Sequence, residues 1–175
     1  MTATMPTLKK MSSSRPRNQA LFTLLLAGCA HAADVPVRND HRVTYKVKAT
    51  FQEVKSLVSE SIKGQGLVIN NISHIGNMLS RTGKDLGFSK QVYEEAEALE
   101  FCSATVSRAM MEADAHNIIF CPYIIAIYVI PSEPKTVYVS YRRPIPVGDE
   151  TSRKSLQAVE KLLDKIITGA LEWAG

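Results

Sequence analysis

The chain has 175 residues, with 21 Lys and Arg against 17 Asp and Glu and a formal net charge of +4. The first 28 residues hold Lys9, Lys10, Arg15 and Arg17 but no acidic residue, so without them the two signs balance at 17 each. A neutral domain lacks the persistent positive surface that nucleic-acid binding needs, and we expect no nucleic-acid partner. An anionic membrane loses its general electrostatic attraction too, although a local basic patch stays compatible with the sequence.

The N-terminal segment has the layout of an export signal. A basic, Ser-rich stretch precedes an apolar run from Ala20 to Gly28, and this order is typical of secretory signals. Leu26-Ala27-Gly28-Cys29 resembles the lipobox of bacterial lipoproteins, where cleavage precedes a cysteine that then carries diacylglycerol. The run is shorter than the roughly 20 residues of a membrane-spanning helix. We therefore predict a signal peptide over residues 1–28 and lipidation of Cys29.

Other interpretations of this segment stay open. Ala30-His31-Ala32 fits the small-x-small pattern of ordinary signal peptidase sites, which predicts cleavage after Ala32 and no lipid. A buried N-terminal helix is a further alternative, and Met1, Met5 and Met11 are all possible starts. Both export hypotheses place the protein on the periplasmic side of a bacterial cell envelope. It is then lipid-anchored to the outer membrane, with no other membrane contact, or soluble in the periplasm.

A polar tether over residues 30–41 leads into the predicted domain, residues 42–175. Alternation of apolar and polar side chains predicts a strand over 43–49. Thr50 and Glu53 form a capping box for a helix that ends near residue 63, before two glycines. A second strand is expected over 67–75, and 77–88 is an irregular segment with a possible short helix.

The second half of the domain begins with a predicted strand over 96–102 and a helix capped by Ser103 that reaches Asp114. A long apolar strand over 118–130 then forms an antiparallel hairpin with 136–142. Thr151 or Ser152 is predicted to cap the final helix, and the apolar stripe of this helix extends to Trp173. The order β-α-β-(α)-β-α-β-β-α predicts an α+β fold: a two-layer sandwich with a mainly antiparallel sheet and helices on one face.

A series of short motifs runs through this domain. They are His74-Ile75, Met78-Leu79, Arg81-Thr82-Gly83, Phe101-Cys102-Ser103-Ala104, Asp114, Asn117-Ile118, Phe120-Cys121-Pro122-Tyr123 and Tyr141-Arg142-Arg143-Pro144. Their order and spacing over residues 41–173 resemble the family called domain of unknown function 302 (DUF302). The resemblance implies a two-layer α+β fold that can form homodimers, and no established activity. Many members have Asn-Pro after the first cysteine, where this chain has Ser103-Ala104, so a role of that loop elsewhere does not transfer.

Lipidation of Cys29 leaves Cys102 and Cys121 to be explained in an oxidising compartment, where a disulfide is the first expectation. The helix between them favours a different answer. In a right-handed βαβ unit, the end of one strand and the start of the next lie at opposite edges of the sheet. Three possibilities follow: a disulfide, two buried inert thiols, or a reactive or metal-binding pair.

A metal site is the most specific form of the third possibility. Cys102 precedes a helix N-terminus, which stabilises a thiolate. Cys121, Met110 and His74 are further soft or borderline donors, and this set favours copper or another soft metal. Their spacing matches no established metal motif, and packing in the core is the alternative for Met110. We therefore predict no cofactor and keep copper as the alternative.

An anion site is the other candidate. Arg81 to Asp85 is expected to form a turn whose N–H groups and basic side chains hold an anion, with Arg108, Arg142 and Arg143 as further cations. Ion pairs of these arginines with Asp85 and Asp114 are the alternative. The candidate ligand-binding residues are His74, Arg81, Tyr93, Cys102, Ser103, Cys121, Tyr141 and Arg142.

The sequence offers no support for an enzyme. It contains no Gly-x-Ser-x-Gly nucleophile elbow, no phosphate-binding glycine loop and no dinucleotide fingerprint. Two functional classes remain. The first is a non-enzymatic envelope domain that binds an unidentified small molecule or a partner protein, as a monomer or a homodimer. The second is a thiol- or metal-dependent redox protein that uses Cys102 and Cys121.

Overall fold

A computed structural model describes residues 1–2 and 35–174. The predicted signal peptide and Cys29 lie outside the described residues, apart from Met1 and Thr2. The strands are β1 Val37–Arg38, β2 Arg42–Val47, β3 Val68–Ser73, β4 Glu95–Cys102, β5 Tyr123–Val129 and β6 Val137–Arg142. The helices are α1 Phe51–Gly64, α2 Ile75–Asp85, α3 Ala104–Ala113 and α4 Glu150–Leu171, with a 3-10 helix at Ala115–Phe120.

The strands of the described chain form one six-stranded sheet in the order β1-β2-β6-β5-β4-β3. Every neighbouring pair is antiparallel. The predicted hairpin of β5 and β6 is confirmed, with Ile127 opposite Val139. The predicted α+β fold is therefore correct.

The core lies between one face of the sheet and the helices. Alternate strand residues such as Val43, Ile125 and Val139 are buried there against the apolar stripes of α1 and α4, represented by Val58 and Ile166. The buried residues that alternate along the strands therefore pack against the buried residues that recur at helical spacing in α1 and α4, as a two-layer fold requires. None of the described helices is both long and apolar enough to cross a membrane.

Local sequence signals set most helix starts. The Thr50 hydroxyl accepts a hydrogen bond from the N–H of Glu53 at 3.3 Å, and Ser103 accepts one from Val106 at 3.3 Å. Both predicted caps are therefore confirmed. The predicted cap of α4 is wrong, because Asp149 accepts from the N–H of Ser152 at 2.8 Å and the helix starts earlier.

The apolar segment 118–130 is not one strand. Its first residues belong to the 3-10 helix, which Asp114 caps by accepting from the N–H of His116. Asn117 is buried and donates to the carbonyl of Met110 at 3.1 Å and to the hydroxyl of Ser152 at 2.9 Å, which holds this turn against α4. Ile118 is 59% exposed, so the apolar side chain at this position does not indicate a buried strand.

Two further expectations need correction. Trp173 follows the end of α4 and is 78% exposed, so it is not part of the buried stripe. The predicted tether includes β1, which pairs with β2 through Val37 opposite Thr44. Both edges of the sheet are irregular, since β1 has two residues and β3 shifts register between Ile69 and Asn71.

A charged cluster holds α4 against the β1 side of the sheet. The Asp164 carboxylate accepts hydrogen bonds from the hydroxyls of Tyr45 and Tyr141, both at 2.7 Å, and from Arg38 at 2.6 Å. Burial alone raises the pKa of a carboxyl group, but these three donors outweigh it and lower the pKa of Asp164. Burial and the hydrogen bonds to Asp164 raise the pKa of both phenols.

Ionised Asp164 therefore stabilises the folded state, and Asp164→Asn should reduce the free energy of unfolding at pH 7 by about 2 kcal/mol. The lowered pKa means that this contribution is complete above the ordinary value of 3.8 and is lost as pH falls through the folded value. Denaturant unfolding from pH 7 to pH 2 measures this, with exposed Asp85→Asn as the matched control. Equal pH dependence in the Asp164 variant and the wild type would contradict the assignment.

Candidate functional site

Cys102 and Cys121 lie in contact, with their Sγ atoms 2.8 Å apart. Cys102 ends β4, and Cys121 lies two residues before β5. The expectation that they lie at opposite sheet edges is wrong. β4 and β5 are antiparallel neighbours with Phe101 opposite Tyr123, so the end of one strand and the start of the next share an edge.

A buried hydroxyl lies beside Cys121. Ser107 on α3 lies with its hydroxyl 3.8 Å from the Cys121 sulfur, and it donates to the Tyr123 hydroxyl at 2.9 Å. Burial, and then the hydrogen bond with Cys121, raise the pKa of the Cys102 thiol to about 11. The thiol is therefore protonated at neutral pH, and the expected thiolate stabilisation at the start of α3 is outweighed.

A cleft opens beside this pair, where β5 and β6 separate. Their pairing ends at Ile125 opposite Tyr141, although β6 continues to pair with β2 as far as Arg142. Pro122 and Pro144 lie beyond the last pair and lack the N–H groups that would extend the ladder. The cleft has a volume of about 180 Å³. Its lining is Ile119, Phe120, Pro122, Tyr123, Ile124, Arg142, Arg143, Pro144, Val159 and Leu163.

Three consecutive residues at the end of β6 and just after it have different roles at this cleft. Arg143 donates to the Glu160 carboxylate at 2.9 Å, so its charge is balanced. Arg142 is exposed, and no carboxylate among the described residues pairs with it. Tyr141 is buried and donates to Asp164, so it is a structural residue rather than part of the predicted ligand pocket.

The structure does not bring the other predicted ligand residues to this cleft. His74 follows β3, and its Nδ1 lies 3.0 Å from the carboxylate of Glu97. Arg81 is on α2, and Tyr93 packs edge-on against Tyr128 with ring centroids 5.6 Å apart. Ser103 is the buried cap of α3.

The expected ion pair between Arg108 and Asp114 does not form. Arg108 pairs with Glu112 at 2.6 Å instead of Asp114, which caps the 3-10 helix.

The proposed metal ligands do not lie close together. His74 is next to Ser73, and Ser73 lies opposite Ala98, which is about four strand residues or 14 Å from Cys102. Met110 is fully buried in the core. No group of three or more His, Cys, Asp or Glu suited to a metal occurs within the described residues.

Sequence reasoning did not find the apolar lining of the cleft. Val159 and Leu163 are buried on the apolar side of α4 at helical spacing, but their contribution to a cavity depends on the strand order. The prolines at 122 and 144 were the available signal, because each interrupts strand pairing next to a predicted strand.

Fold and site together define a two-layer α+β domain with a cysteine pair and a small cleft at one end of its interior strands. The comparisons agree with this class. The model of the family described as "Domain of unknown function DUF302" matches residues 43–170, and the chain belongs to that family. The crystal structure of an uncharacterized conserved protein DUF302 from Bacillus stearothermophilus is similar, with a TM-score of 0.62 at 18% identity. The alignment covers 74% of this chain and 97% of that one. No curated protein matches the chain.

The contact between the thiols predicts that a disulfide forms under oxidising conditions. Loss of two protons and two electrons to a thiol–disulfide oxidant joins the sulfurs and closes the loop from 102 to 121. Such a loop should stabilise the domain by about 3 kcal/mol. Titration with a thiol reagent under denaturing conditions should find neither Cys102 nor Cys121 until a reductant is added.

Cys102→Ala/Cys121→Ala is the matching variant for stability measurements. Its free energy of unfolding should equal that of the reduced wild type, apart from the loss of the packing contacts that the two sulfur atoms make. Full titration of both thiols in protein kept under oxidising conditions would contradict the disulfide.

Proposed function

We propose that this protein is a non-enzymatic envelope domain, lipid-anchored through Cys29, that binds a small organic acid in the cleft between β5 and β6. The observation that carries the proposal is the position of Arg142. It lines a cleft in which most of the other lining side chains are apolar, and no carboxylate of the described chain forms an ion pair with it. A guanidinium offers a planar pair of donors that matches a carboxylate or another oxyanion.

The size and lining of the cleft limit the ligand. A volume of about 180 Å³ is below the usual range of drug-sized sites, which starts near 300 Å³. Ile119, Phe120 and Leu163 offer contact to an apolar group but no hydrogen bonds. The ligand class that fits is a short-chain carboxylate with its acid group at Arg142 and its apolar part toward α4.

Binding without chemistry is supported by the side chains of the lining. The cleft residues include no histidine, carboxylate or thiol, which are the usual general acids, bases and nucleophiles. The phenol of Tyr123 is the remaining candidate, but burial raises its pKa. It already accepts a hydrogen bond from Ser107. These features favour a receptor or carrier role.

A thiol-dependent redox function is the second candidate, and the contact of Cys102 with Cys121 is the observation in its favour. The raised pKa of Cys102 opposes it, because attack on a disulfide needs a thiolate at working pH. We therefore rank this function, and soft-metal binding by the same pair, below ligand binding. Rapid modification of a native thiol near pH 7, or stoichiometric copper binding lost in Cys102→Ser, would reverse that order.

The ligand hypothesis predicts that a short organic acid raises the unfolding temperature of the wild type and not of Arg142→Gln. At about 100 times the Kd, the added stability is about 2.7 kcal/mol. The screen includes carboxylates of increasing chain length, inorganic phosphate and sulfate. Arg108→Gln is the matched control, since Arg108 is an exposed arginine on α3 paired with Glu112.

Two results would refute this assignment. One is a screen in which no anion shifts the wild type. The other is an anion whose effect is the same in Arg142→Gln and Arg108→Gln, which would place it elsewhere.

The anchor hypothesis has a separate test. Growth with labelled palmitate should label the wild-type protein and not Cys29→Ser, because the lipid is attached at that thiol. Cys121→Ser is the control for other cysteines. Label that persists in Cys29→Ser would exclude the anchor, while export followed by cleavage after Ala32 would favour the secreted form.

A further inference from the structure

Cys121 lies in the middle of one wall of the cleft. The two residues on each side of it line the cavity: Ile119, Phe120, Pro122 and Tyr123. The Cys121 side chain instead contacts Cys102 at the end of β4, with the two Sγ atoms 2.8 Å apart. The thiol pair therefore lies behind residues 119–123, which we call the 119–123 wall.

The middle of the 119–123 wall has few other attachments to the domain. Before the wall, the buried side chain of Asn117 joins the chain to α3 and α4. At its end, Tyr123 pairs with β4 opposite Phe101. Between these points the described backbone hydrogen bonds stay within the segment, as in the 3.0 Å bond from the N–H of Cys121 to the carbonyl of Ile118. Besides apolar packing on the core, the contact between the two sulfur atoms is what joins the middle of the wall to β4.

The opposite side of the cleft does not depend on the thiols. The Arg143 side chain donates to Glu160 at 2.9 Å, and its backbone N–H donates to the carbonyl of His41 at 2.9 Å. Val159 and Leu163 belong to the buried face of α4. These contacts are the same in either redox state, so the state of the cysteine pair acts on one side of the cleft.

A covalent bond between the sulfur atoms restricts the 119–123 wall. In the dithiol form the wall is held by a non-covalent contact, and Ile119 is 76% exposed. Segments with few buried contacts open at the lowest free-energy cost. A ligand that packs on such a segment has to order it, whereas a segment already fixed in its bound conformation binds the same ligand more tightly.

We propose that the redox state of Cys102 and Cys121 sets the ligand affinity of the cleft, and that the disulfide form binds a short-chain carboxylate more tightly than the dithiol form. The coupling rests on the proposed ligand site, whose regulation it describes. The oxidant is a low-molecular-weight disulfide. Both cysteine S–H bonds break, the Cys102–Cys121 bond forms, and the oxidant takes up the two protons and two electrons as it separates into two thiols.

The coupling acts in both directions. If oxidation strengthens binding by a given factor, thermodynamic linkage requires the ligand to favour the disulfide over the dithiol by the same factor. Fixing one or two side chains of the wall before binding changes the affinity about tenfold. The same factor is therefore expected in a binding experiment and in a redox equilibrium.

The binding experiment is calorimetry with acetate, butyrate and hexanoate on the oxidised and the fully reduced wild type. For the carboxylate that binds most tightly, the Kd of the oxidised protein should be about tenfold lower. Cys102→Ala/Cys121→Ala is the matched control, because it cannot form the disulfide. It should bind like the reduced wild type, with or without dithiothreitol. Unfolding midpoints verify that each form is folded.

The redox equilibrium is an independent readout. The protein is equilibrated with fixed ratios of reduced and oxidised glutathione at about pH 8.5, where more thiolate is present and exchange is faster. Titration of the free thiols then gives the equilibrium constant for reduction, which the same carboxylate should lower about tenfold in the wild type. It should have no effect in Arg142→Gln, which keeps both cysteines, and the wild-type effect in Arg108→Gln.

The outcomes distinguish the coupling from the ligand site on which it rests. Equal Kd values in the oxidised and reduced wild type would overturn the coupling and leave the ligand site intact. Tighter binding by the reduced form, or an unchanged redox equilibrium with bound carboxylate, would overturn it in the same way. Failure of all three carboxylates to bind either form would refute both proposals.

Discussion

The antiparallel pairing of β4 with β5 is the constraint on which the candidate site depends. Phe101 lies opposite Tyr123, so the chain must leave the sheet after Cys102 and return to the same edge within twenty residues. α3 and the 3-10 helix occupy that excursion, and the buried side chain of Asn117 fixes its return against α4. The register of β4 and β5 places the two thiols in contact and places Pro122 just before β5, where the cleft toward β6 lies.

Features that depend on neighbouring residues could be predicted from the sequence. The caps at Thr50 and Ser103 need only a side-chain oxygen three residues before an N–H group, and alternation identified β2 and β6. The start of the 3-10 helix could not be separated from a strand by apolar content alone. In this segment Ile118 is apolar and exposed, whereas Tyr123 is buried in β5.

The candidate site was less predictable, because its parts come from different elements. Arg142 was identified as a ligand residue, but its apolar surroundings depend on where α4 crosses the end of β6. The sequence shows Cys102 and Cys121 as a pair, but the distance between them depends on whether the chain makes a parallel crossover or returns to an antiparallel neighbour. No pattern within 103–120 distinguishes that crossover from a return to an antiparallel neighbour, since both use one helix of similar length.

The irregular edges of the sheet have a consequence for self-association. β1 offers two residues for pairing, and the register shift in β3 interrupts its free edge before α2 begins. Open sheet edges join when long, flat strands can continue each other's hydrogen bonding, and short or bulged edges prevent this. These two edges therefore disfavour the extension of one continuous sheet between copies of this domain. Any homodimer must use side chains on a face or a helix, so its affinity can change by surface substitution without altering the fold.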